Sequence, residues 1–449
     1  MPAQPRILFL SILFLLLSCN PESGIDKKND WLKSAIETEI FIENSGIDLT
    51  ECRAWKVMPD SINSVPDLSL YTGTPGIVLF YLELYAATED PAYLNEAEMG
   101  AEYLIDTIRN SKYNAGEMGL YTGLAGAGYC LVETFRATGK NRYRNEIINT
   151  VKLIESTALK TAEGIHWAGM TDIIYGGAGI GLYLQRVADV LQYPKADSLA
   201  TLAAKGLLDL AIASPSGLRW KFTPEYGTYM DNFSHGTAGV AYFLSETYLR
   251  TGENKYLDAA LKAADILDSL ANDKGYIPHH CPGGENLFYL NWCHGPAGTS
   301  RLYYSLYMST KDRKWLDTMK RVADEMMAEG IDEHQTPGYW NNVGKCCGSA
   351  GVAEYYLWMH QITGEEKYLD YCMKMTEQLI HSATRGNGPV KWIHAEHRAR
   401  PDYVAAQTGL MQGSAGIGLW FLQLQAFMNG KEPFVNMPDK PLGIRNTDD

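Results

Sequence analysis

Three of the eight cysteines, Cys293, Cys346 and Cys347, have a type and spacing that could bind a metal ion. Cys293 lies just before one glycine phrase, in CHGPAG, and the adjacent pair lies just before another, in CCGSAG. Thiolates bind Zn²⁺ at about 2.3 Å, and three of them leave one tetrahedral position open, as in catalytic zinc sites. The pattern therefore predicts a zinc site that a substrate can reach, provided that the two phrases meet in space. A redox-active Cys346–Cys347 pair and buried thiols without a metal are the alternatives.

The Gly-x-x-Gly phrase that positions these cysteines occurs seven times, at intervals of 50 to 65 residues. A repeat of this length is typical of one supersecondary unit that recurs along the chain. Glycine ahead of an apolar helix permits a sharp turn and close packing of helix starts. If the seven helix starts converge on one mouth, the three cysteines converge there as well. The first glycines of the phrases are Gly73, Gly123, Gly176, Gly236, Gly295, Gly348 and Gly413.

The segments between the phrases have helical periodicity. Residues 254–271 and 367–383, for example, place apolar side chains at three- and four-residue steps with charged residues between them. Each repeat is interpreted as an amphipathic helix, a linker, the glycine phrase and a more apolar helix. Seven such pairs predict an all-α protein, an α/α-toroid with the apolar helices inside.

The repeat also sets the expected domain boundaries. We expect the toroid to occupy residues 67–430, preceded by a lead-in segment with a first helix at 19–66. Residues 431–449 are predicted to be a polar and frayed C-terminal tail. Two short segments with strand-like composition, 277–289 and 390–394, are predicted to be loop hairpins. No strand-rich domain is expected.

Composition and charge exclude one class of partner. Hydrophobic residues make up 46% of the chain, which is ample for a large core, and the formal net charge is −14. A nucleic-acid-binding surface needs a basic stripe that displaces counterions from phosphates. We therefore expect no nucleic-acid partner.

The first residues resemble a bacterial lipoprotein signal. Arg6 precedes an apolar run over residues 7–17, which is followed by Ser18 and Cys19. The run is too short to span a bilayer and fits the apolar part of a signal peptide. We expect a signal peptide over residues 1–18 and a lipid on Cys19, which would anchor an exported protein to the bacterial cell envelope. The alternative is an ordinary signal peptide with a cysteine there by chance.

Four of the phrases resemble those of the lanthionine synthetase C-like family, the lanthipeptide cyclases and their eukaryotic relatives. The resemblance covers residues 68–428 and is most specific in Trp292-Cys293-His294-Gly295 and Cys346-Cys347-Gly348. It implies an α/α-toroid with Zn²⁺ held by Cys293, Cys346 and Cys347. The family's common Cys-His pair is Cys-Cys here, which resembles the subgroup with an all-cysteine zinc site.

The resemblance also implies two catalytic residues. Ser234-His235-Gly236 matches the phrase that holds the family's acid/base histidine, and Asp172 in TDIIYGG matches its active-site aspartate. Without the resemblance, we would interpret His235 as a core histidine. Asp172 could then be a helix N-terminal residue that free backbone amides stabilise. The chain departs from the nisin-type cyclases at Tyr289, where they carry an arginine. We therefore do not expect the side chain at position 289 to help bind a peptide carbonyl.

The implied reaction is the addition of a cysteine thiolate to the β-carbon of a dehydroalanine or dehydrobutyrine, which forms a lanthionine-type thioether. The α-carbon then needs a proton, which an imidazole can supply near neutral pH. We expect His235 to be this acid, with Asp172 orienting it. The expected partners are a peptide or another thiol-bearing substrate and a separate dehydratase, because the toroid leaves no chain for a dehydratase domain.

Two further functions remain open at this point. One is a zinc-containing lipoprotein that binds a peptide or thiol without catalysis. The other is a glycan-active enzyme, because α/α-toroids are common among them; Asp172 with Asp231 or Glu225 would then be the acid and base. The three cysteines would have no role in that case. Lanthipeptide rings normally form before export, so an exported cyclase would act on an exported dehydrated peptide or on a different thiol.

Overall fold

The computed structural model describes residues 31–386 and 389–440. The predicted signal peptide (1–18) and Cys19 lie outside the described residues. The described part of the chain contains fourteen α-helices in two sets of seven. The outer helices are α1 (Trp31–Glu43), α3 (Pro91–Asn110), α5 (Asn141–Thr157), α7 (Pro194–Asp209), α9 (Asn254–Leu270), α11 (Lys314–Ala328) and α13 (Glu366–Ser382). The inner helices are α2 (Thr74–Thr88), α4 (Leu124–Thr138), α6 (Gly177–Leu191), α8 (Thr237–Thr251), α10 (Pro296–Thr310), α12 (Ser349–Thr363) and α14 (Ser414–Met428).

The inner helices are apolar on all sides at their starts. Each is 15 residues long and begins at the residue after the first glycine of a phrase. The first eleven residues of α2 and of α14 are all buried. Outer helices bury one stripe, which in α3 consists of Ala97, Gly100, Ala101, Leu104, Ile105 and Ile108. Among the described residues, no helix combines the length and apolar character needed to cross a bilayer.

The inner helices form a closed ring, which confirms the α/α-toroid. Each contacts the next along the chain, from α2 through α4, α6, α8, α10 and α12 to α14, and α14 contacts α2. The outer helices pack around this ring. Helix α1, which belongs to the expected lead-in segment, is the outer partner of α14. The first and the last of the described helices therefore pack together as a pair.

The pairing within the ring differs from the predicted repeat. Each inner helix from α2 to α12 packs mainly against the outer helix that follows it, rather than the one that precedes it. The reason is the short connection after the inner helix. The capping residue is left-handed, as in Gly139 (φ 66°) after α4, so the chain reverses at once into an antiparallel helical hairpin.

A ring of backbone hydrogen bonds joins the seven turns that precede the inner helices. In each bond, an N–H two or three residues before one phrase donates to the carbonyl at the matching point of the next. The bonds are Tyr71 to Tyr121 (2.9 Å), Tyr121 to Ile174 (3.0 Å), Ile173 to Ser234 (3.2 Å), Ser234 to Cys293 (2.9 Å), Cys293 to Cys346 (3.3 Å), Cys346 to Met411 (2.9 Å) and Met411 to Tyr71 (2.9 Å). The backbones of Cys293 and Cys346 are thus bonded directly to each other.

The second glycine of a phrase lets the helix start sit against its own turn. A Cβ atom on Gly298 would lie 1.9 Å from the carbonyl oxygen of Trp292, and one on Gly351 would lie 2.0 Å from that of Lys345. A side chain at either position would have to push the backbone apart. These glycines are therefore required by close approach, and they bring the residues before the phrase to the mouth of the ring.

Strands are confined to five two-stranded antiparallel hairpins within the described residues. The expected hairpin at 277–289 contains no strand, and its Cys281 forms an isolated bridge with Tyr229. The segment 390–394 contributes to two hairpins. The strands are β1 (Gly46–Asp48), β2 (Arg53–Trp55), β3 (Leu159–Lys160), β4 (Ile165–His166), β5 (Ile212–Ser214), β6 (Gly217–Arg219), β7 (Thr384–Arg385), β8 (Val390–Lys391), β9 (Ile393–Ala395) and β10 (Val404–Ala406).

The described part of the C-terminal tail is packed rather than frayed. Val435 is fully buried, and Asp439 is 2% exposed. The Glu83 carboxylate on α2 accepts the backbone N–H groups of Phe434 (3.0 Å) and Val435 (2.7 Å). Tyr129 on α4 donates its hydroxyl to the carbonyl of Asn436 (2.7 Å). A polar tail is stable there because polar side chains of the inner helices satisfy its backbone groups.

Candidate functional site

The structure brings Cys293, Cys346 and Cys347 together. Their sulfur atoms all lie within 4.8 Å of one another, and the Sγ of Cys347 is 3.4 Å from that of each of the other two. All three side chains are buried. The turns before α10 and α12 carry them, and the backbone bond between Cys293 and Cys346 sets their separation. This is the one such group of potential metal ligands within the part of the chain that the structure describes.

The three thiols are electrostatically unequal. Burial raises the pKa of Cys293 and Cys346 well above the ordinary value for a thiol. The pKa of Cys347 is well below it, because its sulfur is in hydrogen-bonding contact with the sulfurs of Cys293 and Cys346 and with the Gln412 amide. A metal ion bound to these buried sulfurs would replace the protons that they share in its absence.

Two polar residues that the sequence analysis missed orient the thiols. The side-chain oxygen of Asn291 accepts from the Cys293 thiol at 3.1 Å. The amide of Gln412 donates to the Tyr71 hydroxyl at 2.9 Å and lies 3.5 Å from the sulfur of Cys347. Gln412 directly precedes the glycine phrase at Gly413, and Cys347 directly precedes the neighbouring phrase at Gly348. Aligning the seven phrases on the first glycine would have revealed this position.

His235 and Asp172 form a hydrogen-bonded pair. The Nδ1 of His235 is 2.8 Å from Oδ2 of Asp172, and the other carboxylate oxygen accepts the N–H of Tyr175 at 3.1 Å. Asp172 is fully buried, whereas the His235 side chain is 24% exposed. Because a carboxylate accepts at Nδ1, that nitrogen carries a proton and Nε2 is the nitrogen left for a substrate. The ring is held between Tyr175 and Phe222, at centroid distances of 5.9 and 5.3 Å.

The three cysteines and His235 line one cavity of about 450 Å³. Its lining includes the three cysteines and His235 together with other residues that directly precede a glycine phrase: Thr72, Thr122, Tyr175 and His294. The mouth of the toroid is therefore built from equivalent positions of six repeats. The cavity is large enough for a short peptide segment or a small thiol.

Another wall of the cavity comes from outside the glycine phrases. Glu396, His397 and Arg398, in the loop between β9 and β10, line it with Tyr289 and Trp340. The Nε of Arg398 donates to the Tyr289 hydroxyl at 3.3 Å. A guanidinium therefore lies beside Tyr289, although position 289 itself carries no arginine. No periodic pattern marks this loop, so the sequence analysis did not find it.

Further imidazoles surround His235. His294 is buried, and its ring stacks on that of His279 at 4.1 Å. Burial lowers the pKa of His294 far below its usual range and that of His279 to about 4, so both are neutral bases at physiological pH. Neutral rings place no additional positive charge beside His235.

Asp231 and Glu225, the candidate partners of Asp172 in a glycan-active enzyme, do not face the cavity. Asp231 is 2% exposed, and its oxygens are bonded to Arg219 and to the Thr237 hydroxyl. Glu225 is exposed, and neither residue lines the cavity. Asp231 is therefore occupied in holding the turn before α8.

Comparison with known proteins identifies the family. The family model described as lanthionine synthetase C-like protein matches residues 64–437. The chain is 22% identical to glutathione S-transferase LANCL1 of Danio rerio over 68% of this chain and 75% of that protein. It is 23% identical to nisin biosynthesis protein NisC of Lactococcus lactis subsp. lactis over 68% of this chain and 77% of that protein.

Solved structures show the same fold. Nisin cyclase superposes with a TM-score of 0.66 at 19% identity, covering 91% of this chain and 96% of that chain. An unsaturated glucuronyl hydrolase specific for heparin has a TM-score of 0.51 at 13% identity over 90% of this chain and 99% of that one. The toroid is thus shared with proteins of other activities, and the family assignment comes from the sequence match. With its seven glycine phrases and the match over 64–437, this chain belongs to the lanthionine synthetase C-like family.

Proposed function

We propose that this protein is a zinc-dependent enzyme that adds a thiol to a dehydroalanine or dehydrobutyrine residue and forms a thioether. The observation that carries the proposal is one cavity lined both by three converging buried thiols and by His235, whose ring is hydrogen-bonded to the buried Asp172 behind it. Similarity to a nisin biosynthesis protein supports a lanthionine-type reaction, and similarity to a protein named as a glutathione S-transferase supports thiol transfer more widely.

The donor set fits Zn²⁺. Three sulfurs on a tetrahedral ion at about 2.3 Å would be about 3.8 Å apart. Two of the sulfur pairs are 3.4 Å apart and all three pairs are within 4.8 Å, so small side-chain rotations suffice. Cys293, Cys346 and Cys347 would hold the ion, and the cavity beside them leaves room for a fourth ligand. When bound, Zn²⁺ supplies a Lewis acid that favours the thiolate form of a substrate thiol.

The remaining chemistry is assigned to residues of the chain. A bond forms between the substrate sulfur and the β-carbon, while the electron pair of the double bond moves to the α-carbon. His235 donates the proton at Nε2 to that α-carbon, and Asp172 holds the ring by its Nδ1–H and stabilises the protonated form. The thiol proton lost at the start returns the imidazole to its protonated form, so the overall addition releases no proton.

Arg398 is assigned to substrate binding. Its guanidinium lies at the cavity and bonds to Tyr289, and it can donate to the carbonyl oxygen next to the α-carbon, where negative charge develops. Trp340 and Tyr289, which pack at a ring distance of 5.1 Å, provide an apolar wall that limits water at the reacting carbon. The proposed substrate is a dehydrated peptide made by a separate dehydratase, or such a peptide together with a small thiol.

Metal analysis combined with a turnover assay tests the proposal. Purified protein lacking residues 1–18 should contain about one Zn²⁺ per chain and should consume the thiol of a synthetic peptide that carries cysteine and dehydroalanine. The remaining thiol is counted by alkylation and mass spectrometry. Cys293→Ala should lose metal and activity, whereas Cys372→Ala, a buried cysteine of α13, should keep both. Zinc without turnover of any dehydrated peptide would favour a binding protein instead.

We further propose that the enzyme is exported and lipid-anchored through Cys19. The support is the lipoprotein-like segment at the start of the sequence. Globomycin should block processing of the precursor, and Cys19→Ser should release the protein from the membrane fraction. Unchanged membrane partitioning of Cys19→Ser would contradict the lipid anchor.

A further inference from the structure

The C-terminal segment, defined here as residues 433–440, runs through the inside of the ring of inner helices. It contacts α2 through Glu83, α4 through Tyr129, and α14 through Gln423, whose amide donates to the Val435 carbonyl at 3.2 Å. It also contacts α10, which lies three helices away from α4 around the seven-membered ring. A segment that touches helices so far apart in a closed ring lies inside it.

The direction of the C-terminal segment follows from its contacts with α4 and the turn before it. Phe434 lies against Arg136 near the end of α4, and its carbonyl accepts from that guanidinium at 3.1 Å. Asn436 contacts Tyr129 in the first half of α4. Asp439 contacts Tyr121, which precedes the helix. The C-terminal segment therefore runs antiparallel to α4, from the base of the ring toward the mouth that holds the cysteines.

Asp439, the last but one residue of this segment, contacts the turn that carries Cys293. Its Oδ2 accepts the indole N–H of Trp292 at 3.0 Å, and its Oδ1 accepts the hydroxyl of Tyr121 at 3.0 Å. Arg301 on α10 donates to its backbone carbonyl at 3.1 Å. Trp292 is the residue before Cys293, and its ring packs on Tyr121 at 5.2 Å. Tyr121 and Cys293 are both members of the backbone ring at the mouth.

We propose that Asp439 is a positioning residue for the metal centre: through Trp292, it holds the Cys293 thiol in register with Cys346 and Cys347. The carboxylate joins the turn before α10 to the turn before α4. Its loss removes one restraint on the turn before α10, which the Cys293–Cys346 backbone hydrogen bond still joins to the turn before α12. Because the inference names a metal centre, it rests on the proposed function. The role of Asp439 also concerns the spacing of the three thiols, and that spacing exists in the metal-free protein as well.

The test compares Asp439→Asn and Asp439→Ala with Glu83→Gln, which alters the far end of the same segment. In reduced, metal-free protein, the alkylation rate of Cys293 is measured by mass spectrometry relative to that of Cys372. General destabilisation exposes both cysteines, whereas loss of positioning exposes Cys293 alone. We expect Asp439→Ala to raise the Cys293-to-Cys372 ratio by about tenfold. The isosteric Asp439→Asn keeps one acceptor and should raise it less. Glu83→Gln should leave it unchanged.

Metal binding provides the second measurement. Competition with a chelator should show that Asp439→Ala binds Zn²⁺ about 10- to 100-fold more weakly than wild type, the usual effect of losing a residue that supports a ligand. Adding Asp439→Asn to Trp292→Phe should have no further effect, because the carboxylate acts through the indole. A labelling ratio within twofold of wild type for both Asp439 variants would overturn the inference. Wild-type protein without bound metal would instead refute the proposed function, and the labelling ratio would still decide the role of Asp439.

Discussion

Replacing Asp172 by Asn tests whether the buried carboxylate acts through His235. The variant keeps the shape of the side chain, and its carbonyl can still accept the Tyr175 N–H. What it loses is the charge-assisted hydrogen bond to the His235 Nδ1–H, which is 2.8 Å long and shielded from water because Asp172 is fully buried. An amide facing Nδ1 also favours the tautomer with its proton on the wrong nitrogen.

The expected loss can be worked out from this geometry. A hydrogen bond to a charged group contributes about 1.5–3 kcal/mol, and the same amount taken from the transition state slows a reaction about 10- to 150-fold. Removing the acid itself in His235→Ala should slow thiol addition by about 10²–10⁴-fold. The double variant should be no slower than His235→Ala, since Asp172 has nothing to orient once the imidazole is gone.

The assay follows single-turnover consumption of the peptide thiol, with zinc content and thermal unfolding measured on the same samples. All of these variants should retain the metal, because neither residue belongs to the cysteine group. Asp231→Asn is the matched control: it also removes a buried carboxylate near His235, but one bonded to Arg219, so it should reduce stability with little effect on rate. An undiminished rate for Asp172→Asn, or additive losses in the double variant, would refute the pairing.

Three more outcomes are expected. Cys347→Ala should lose zinc while circular dichroism stays helical, because helix packing and not the metal holds the ring; full metal occupancy would remove Cys347 from the ligand set. Arg398→Ala should lower kcat/KM for thiol addition by about 10-fold or more without changing metal content, whereas Tyr289→Phe, which loses only a partner of Arg398, should cost less. Glu83 has a pKa raised to about 7 by burial, so the folded protein holds a proton that the unfolded chain releases near pH 4.5. Its contribution to stability is therefore lost as pH rises to about 7, and the free energy of unfolding of Glu83→Gln relative to wild type should increase by up to about 3 kcal/mol between pH 5 and pH 8 in urea titrations. A pH-independent difference would show that Glu83 is ionised in the folded protein.

Arg398 shows why part of the site could not be read from the sequence. The cysteines, His235 and Asp172 all lie within four residues of a glycine phrase, so the repeat itself marks them. Arg398 lies in a loop whose position at the cavity depends on the β9–β10 hairpin and on how that hairpin packs beside the turn before α12. The local sequence around Arg398 does not encode this packing.

The sequence alone determined the architecture and the meeting point of the thiols, because both follow from periodicity. Seven phrases require seven equivalent turns, and in a closed ring equivalent turns face one mouth. The tertiary structure decided what periodicity does not encode. It paired each inner helix with its successor through left-handed turns, and it brought α1 to α14. It also buried a polar C-terminal segment, because only the folded ring offers Glu83, Tyr129, Arg301 and Trp292 as partners for that segment's polar groups.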